Sequence, residues 1–227
     1  MLVSSVEKAD GGFKVVADDG TEYITEAVLV TAGSSRRKLP AKGADELEHK
    51  GLTYCATCDG PIFAGQDVVV VGGGNAGFES AAQLLAYTKS VTLLHRGDQY
   101  KADPITVEKV LSHPNMTGIL NAKTTEILGE KFVSGLKYED ASGEEKQLDV
   151  NGVFVEIGQI PNTSFVKDVV ELNDYKHIKI DPKTQQTTTY GIWAAGDCTD
   201  VMYHQNNISS GDAVKALEDI YQHIHAR

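Results

Sequence analysis

The stretch DVVVVGGGNAGFESAAQLLAY, residues 67–87, constrains the fold more than any other part of the chain. It opens with an unbroken β-branched run, Val68 to Val71, which suits a parallel strand buried on both faces. Gly72, Gly74 and Gly77 follow in G-x-G-x-x-G spacing, and an Ala/Leu-rich helical stretch comes next. In that context each glycine has a task. The first permits a tight turn, the second lets the backbone approach a pyrophosphate, and the third lets the helix pack closely on the strand. The helix N-terminus then presents unsatisfied N–H groups to the phosphates. The plainer reading is a glycine-rich turn with no ligand. A further strand, SVTLL at 90–94, completes the unit and favours the nucleotide. Gly72, Gly74, Asn75, Ala76 and Gly77 are thus candidate cofactor-binding residues.

The tip of that further strand bears on which nucleotide binds. An NAD site usually places an acid there. Here the strand ends in His95-Arg96 and continues GDQYK, with no acid at the tip. Arg96, with His95 and Lys101, would meet a 2′-phosphate, which suits NADPH. Solvated loop charges are the plainer reading, and NADH stays the alternative.

Two of the three cysteines lie in TYCATCDGP, as Cys55 and Cys58. They are a redox pair, half of a zinc site, or two buried thiols. Zinc would need two more ligands. His223 and His225 stand two apart on a probable helix, which turns them away from each other, and Cys198 is single. No metal site is therefore expected, and Cys198 reads as a small buried hydrophobe. Three cysteines make no disulfide framework, which points to the cytosol, where C-x-x-C is catalytic or metal-binding. The hydrophobic fraction of 41% and charged fraction of 23% are ordinary for a soluble globular chain. A net charge of −11 argues against nucleic acid or an anionic membrane as partner. No apolar run approaches a membrane span, and MLVSSVEKADGG is too polar for a signal peptide.

The chain also repeats itself. Residues 4–33 and 126–158 both read as a three-stranded meander that feeds an apolar strand ending in glycine. The second copy follows a strand–G-x-G-x-x-G–helix unit and the first does not. By this comparison the first unit is incomplete at its amino end. GIWAAGDCTD, at 191–200, reads as a strand ending in Gly196-Asp197. Residues 209–226 space Val214, Leu217, Ile220, Tyr221 and Ile224 as a helix, with Ser209 or Ser210 as its cap. One dinucleotide domain is thus inserted within another.

Taken together, TAG (31–33), CATCDGP (55–61), GGGNAGFES (72–80), HR (95–96), EIGQIPNT (156–163) and AAGDCTD (194–200) resemble one family. It is that of the low-molecular-weight thioredoxin reductases and the flavoprotein component of alkyl hydroperoxide reductase. KAD at 101–103 and GDCTD at 196–200 lean toward the peroxidase reductase. His95-Arg96 leans toward the thioredoxin reductases, although Gly97 and Lys101 stand where those carry further arginines.

The resemblance implies an α/β chain of two three-layer Rossmann-like dinucleotide-binding domains. Residues 1–36 and 161–227 would be a partial FAD-binding domain, lacking its amino-terminal segment. Residues 37–160 would be the NAD(P)H-binding domain with the C-x-x-C site. Electrons would pass from NADPH through FAD to a Cys55–Cys58 disulfide, with Cys58 nearer the flavin, and on to a small protein. In the family the residue matching Asp59 is an acid–base group, whereas its bland reading is a turn residue. Asp197 would hold the flavin ribityl chain, with His204, Gln205 and Asn206 near the ring system. Gly33, Gly158 and Gly196 would complete the cofactor-binding set. The partner would be a thioredoxin-like or peroxidase protein, the assembly a homodimer and the compartment the cytoplasm. An NADH-using peroxidase reductase is the alternative. The contrasting class is a flavin-free NADP(H)-binding regulator or inactive fragment. For this polypeptide by itself, weak or absent FAD is expected.

Overall fold

The structure, a computed structural model, describes residues 1–225. These form two compact units. One joins Met1–Ser35 to the chain from Gln159 onward, and the other is Arg36–Gly158.

The first unit begins with an antiparallel meander of β1 (Val3–Ala9), β2 (Gly12–Ala17) and β3 (Glu22–Thr25). Period-2 alternation buries Val6 and Phe13 on its inner face. From it β4 (Val28–Val30) emerges, and β5 (Ser34–Arg36) carries the chain into the second unit.

There β6 (Leu52–Thr53) leads into the four-residue helix α1 (Ala56–Asp59) and a 3-10 turn at Gly60–Phe63. Strands and helices then alternate as β7 (Asp67–Val71), α2 (Asn75–Leu84), β8 (Ser90–Leu94), α3 (Pro104–Leu111) and β9 (Met116–Ile119). A second antiparallel meander, β10 (Lys123–Gly129), β11 (Val133–Glu139) and β12 (Glu145–Leu148), feeds β13 (Gly152–Val155). The order β6-β13-β7-β8-β9 makes one parallel sheet.

The valine run explains the layering. Val68 and Val70 pack with Phe78, Ala81 and Leu84 of α2. Val69 and Val71 pack with Ile127, Leu136 and Tyr138 of the meander. Alternation therefore sends successive valines to opposite faces, and the sheet is the middle of three layers. Burying each such side chain contributes about 1.5–3 kcal/mol.

Back in the first unit, β14 (Gln159–Pro161) pairs with β5, and β15 (Ile192–Ala194) runs parallel to β4. Val6, Phe13, Val30, Ile178, Ile192 and Cys198 share its core. The strand expected to reach Gly196-Asp197 stops at Ala194. Gly196 takes φ 77°, and the Thr199 N–H turns back onto its carbonyl at 2.9 Å.

The last helix, α4 (Asn206–His225), starts earlier than its spacing suggests, and residue 226 of the expected span lies outside the described residues. Ser209 and Ser210 are not its cap. The Ser209 N–H already bonds the Gln205 carbonyl at 2.9 Å, and Ser210 Oγ donates to the Asn206 carbonyl at 2.8 Å. Ala216 and Asp212 are the buried residues of α4, whereas Val214, Leu217, Tyr221 and Ile224 are exposed.

Candidate active site

The glycine turn is built as its spacing requires. Gly72 sits at φ 136°, and a Cβ there would run into the Glu156 carbonyl. A Cβ on Gly77 would strike the Gly72 carbonyl, so helix and turn touch backbone to backbone. Gly74 differs, because its missing Cβ points into open space. It is the N-cap of α2 and supplies no side-chain cap. The first turn of α2 therefore keeps N–H groups that no side-chain cap satisfies, and the face of Gly74 beside them is open, an arrangement that could hold an anion. Ala76 lies in that first turn.

The segment after β8 straps the turn from outside. The Lys101 N–H bonds the Gly73 carbonyl at 2.7 Å, and the Asp103 N–H bonds Asn75 Oδ1 at 2.8 Å. Asn75 thus serves the strap with the acceptor end of its side chain. His95 and Arg96 part company. Arg96 is exposed, whereas the half-buried His95 ring backs Gly73 and lies 6.0 Å from the Tyr100 ring. Burial, aided by the Lys101 and Arg96 charges, holds His95 below the ordinary histidine range against a backbone hydrogen bond with Gln99. Burial thus disfavours the charged ring, and the permanent cations at this edge are Arg96 and the exposed Lys101.

The cysteine pair lies in the same unit. Cys55 is the N-cap of α1 and is disulfide-bonded to Cys58, with Cα atoms 5.3 Å apart. The Cys58 N–H approaches Cys55 Sγ at 3.2 Å, and the Asp59 N–H bonds the Cys55 carbonyl at 3.1 Å. Cys58 is the more exposed of the two. Thr57 Oγ1 donates to Gln83 Oε1 of α2 at 2.7 Å, which ties the cysteine turn to the helix that follows the glycine turn. Asp59 lines a cavity of about 410 Å³ together with Thr53, Ile62, Phe63 and Phe132.

The remaining predicted residues divide between the units. Gly158, at φ 93°, closes the second unit. Gly33 (φ 62°) and Gly196 (φ 77°) follow β4 and β15, which are parallel, so both leave the same carboxyl edge of that pair. Asp197 there accepts a hydrogen bond from Ser209 Oγ at 3.3 Å. His204 stacks at 5.5 Å on His177, and Gln205 and Asn206 are exposed. Cys198 is fully buried, its Sγ facing the carbonyls of Ala195 (3.4 Å) and Val30 (3.6 Å), and burial pushes its thiol up.

Residues 2–216 match the family described as pyridine nucleotide-disulphide oxidoreductase. The chain belongs to that family. The F component of alkyl hydroperoxide reductase from Staphylococcus aureus is 41% identical over 222 residues, spanning 97% of this chain and 44% of that protein. Thioredoxin reductase of T. acidophilum superposes with a TM-score of 0.78 at 38% identity, over 97% of this chain and 72% of that one. The Lactococcus lactis thioredoxin reductase in its FR conformation gives 0.80 at 29% identity, over 97% and 73%. The chain thus spans less than half the length of the curated relatives it matches.

Two features of the site have no counterpart among the residues singled out from sequence. Glu156, with a side chain only 5% exposed, accepts from Ser80 Oγ at 2.7 Å and faces Arg36 Nη1 at 3.4 Å. Burial raises its pKa, while Ser80 and Arg36 pull the other way. Its signal was an acid ending the apolar run VFVE. Thr53 is the second. Its hydroxyl donates to Asp59 Oδ2 and accepts from the Cys55 N–H at 3.4 Å. No pattern in the sequence marks it. Among the described residues, no helix is long and apolar enough to cross a membrane.

Proposed function

We propose that this chain carries the nucleotide-binding and disulfide centre of a flavoprotein disulfide reductase of the thioredoxin-reductase type, working in the cytoplasm. The observation that carries this reading is the Cys55–Cys58 disulfide, tied through Thr57 and Gln83 to the helix that opens on the glycine turn. The open face of Gly74 and the uncapped start of α2 fit a pyrophosphate. Arg96 and Lys101 flank that site as NADPH-selecting cations. Gly33, Gly196 and Asp197, on one carboxyl edge of a parallel pair, fit the edge at which such sheets take a nucleotide such as FAD. When bound, these cofactors supply a hydride and an electron pair for the disulfide. The chain's own residues bind them, hold Cys55 and Cys58 in one turn, and keep Asp59 beside that turn for proton traffic.

The small protein substrate is of the thioredoxin class. A second reading, NADH with a peroxidase as partner, is favoured by the 41% identity to the alkyl hydroperoxide reductase relative and by Gly97 after Arg96.

The test is to load the purified chain with FAD, desalt it, and add NADPH or NADH without oxygen. The expected result is a retained flavin band bleached faster by NADPH, with Cys55 and Cys58 both becoming reactive to a thiol reagent. Arg96→Glu should move the preference toward NADH by about 1–3 kcal/mol. Bleaching without new thiols would take the disulfide out of the electron path. Faster bleaching by NADH would favour the second reading.

A further inference from the structure

Disulfide exchange moves protons as well as electrons. A reduced Cys55–Cys58 pair attacks a disulfide through one thiolate, forming a new S–S bond to one sulfur while the other departs as a thiolate. The second cysteine then attacks the first, closes the ring and releases the other sulfur. One dithiol becomes a disulfide, and one disulfide becomes two thiols. Two protons pass from the cysteines to the departing sulfurs, and an acid–base group held beside the pair in a fixed pose speeds that transfer.

Asp59 is placed for that work by its backbone, whose N–H is fixed to the Cys55 carbonyl at 3.1 Å. Backbone placement alone leaves the carboxylate free to turn about its side-chain bonds. Thr53 removes that freedom. It lies at the end of β6, 6% exposed, in register with Phe154 of β13. Its Oγ1 donates to Asp59 Oδ2 and at the same time accepts the Cys55 N–H at 3.4 Å. One buried hydroxyl therefore joins the carboxylate to the backbone of the first cysteine. A hydroxyl has one proton to give and two lone pairs. With its proton committed to Oδ2, the hydroxyl leaves the other carboxylate oxygen free of it. When the carboxyl is protonated, the same hydroxyl has a lone pair to accept from it. Either protonation state of Asp59 thus finds a partner that does not move.

We propose that Thr53 is a positioning residue for disulfide exchange, fixing the Asp59 carboxyl against the Cys55–Cys58 turn. The proposal rests on the reading of Asp59 as the acid–base group. It predicts more than a structural role would, because a threonine that merely packs is replaced without loss by valine of the same shape, whereas a positioning hydroxyl is replaced by serine.

The experiment uses the full chain, reduced with dithiothreitol and desalted, so that no flavin is involved. Oxidised glutathione is the disulfide, and closure of the Cys55–Cys58 ring is followed by quenched alkylation and mass. Asp59→Asn should slow closure about a hundredfold or more. Thr53→Val should slow it about ten- to a hundredfold, while Thr53→Ser stays near the parent rate. The double variant Thr53→Val/Asp59→Asn should be no slower than Asp59→Asn alone, because the hydroxyl acts only through the carboxyl. Unfolding midpoints of Thr53→Val and Thr53→Ser, taken beside the rates, separate loss of fold from loss of positioning. If Thr53→Val keeps the parent rate, if serine fails to restore it, or if the two losses multiply, Thr53 does not act through Asp59 and the proposal falls alone. If Asp59→Asn itself keeps the parent rate, the acid–base role of Asp59 falls and the role of Thr53 falls with it.

Discussion

The two units carry the same three-stranded meander and use it differently. In the second, the meander covers one face of a five-stranded parallel sheet while α2 covers the other. In the first, the meander meets a parallel pair of two strands, β4 and β15. There α4 buries Asp212 and Ala216 but leaves Leu217 and Tyr221 60% and 62% exposed. A repeated module therefore does not fix how much apolar surface its surroundings bury. That depends on strands and helices contributed from elsewhere in the chain.

The largest expected effect lies in the closed core of the second unit. Phe154 is fully buried and meets Phe63 edge-on at 5.4 Å between ring centroids. Phe154→Ala should cost about 3–5 kcal/mol, read as lost hydrogen-exchange protection of the amides of β7 and β13. A much smaller loss would mean that this sheet is no better closed than the other.

An intermediate effect tests the buried carboxyl of the same unit. Burial raises the pKa of Glu156 above its unfolded value, so the unfolded chain gives up that proton first. The stability this group contributes is complete below the ordinary glutamate pKa and falls as pH rises through the raised, folded value. Urea midpoints of the parent should drop across that window, and Glu156→Gln should flatten the drop. An unchanged slope in the variant would assign the pH dependence to other groups.

The smallest expected effect belongs to α4. Leu217→Ala should alter stability by no more than about 0.5 kcal/mol, as for a side chain already in water. A loss several times larger in the same urea titration would show that this stripe is covered in solution, and the contrast between the units would narrow.

Much of this architecture was legible from short-range pattern. The valine run, the glycine spacing and the paired meanders are periodic signals confined to neighbouring residues, and all three describe real elements. Within the candidate site, the C-x-x-C spacing marked two residues that the fold brings together, since Cys55 and Cys58 are disulfide-bonded. The site was illegible where partners come from afar. Ser80 and Glu156 stand 76 residues apart, and nothing local announces their bond. The α4 spacing predicted a helix correctly, yet periodicity does not say which face is covered. His95 and Arg96 are adjacent charges in sequence, but the fold turns one ring under the glycine turn and leaves the other side chain in water.

The sealed thiol of Cys198 has a practical consequence. Its sulfur is out of reach of solvent, and burial keeps it protonated. A thiol reagent applied to the native chain therefore reports on the Cys55–Cys58 couple alone, and the third cysteine answers only after denaturation. The molecule carries its own calibrant. The difference between native and denatured titres gives the fraction of chains that are folded, in the same cuvette that gives the oxidation state of the couple.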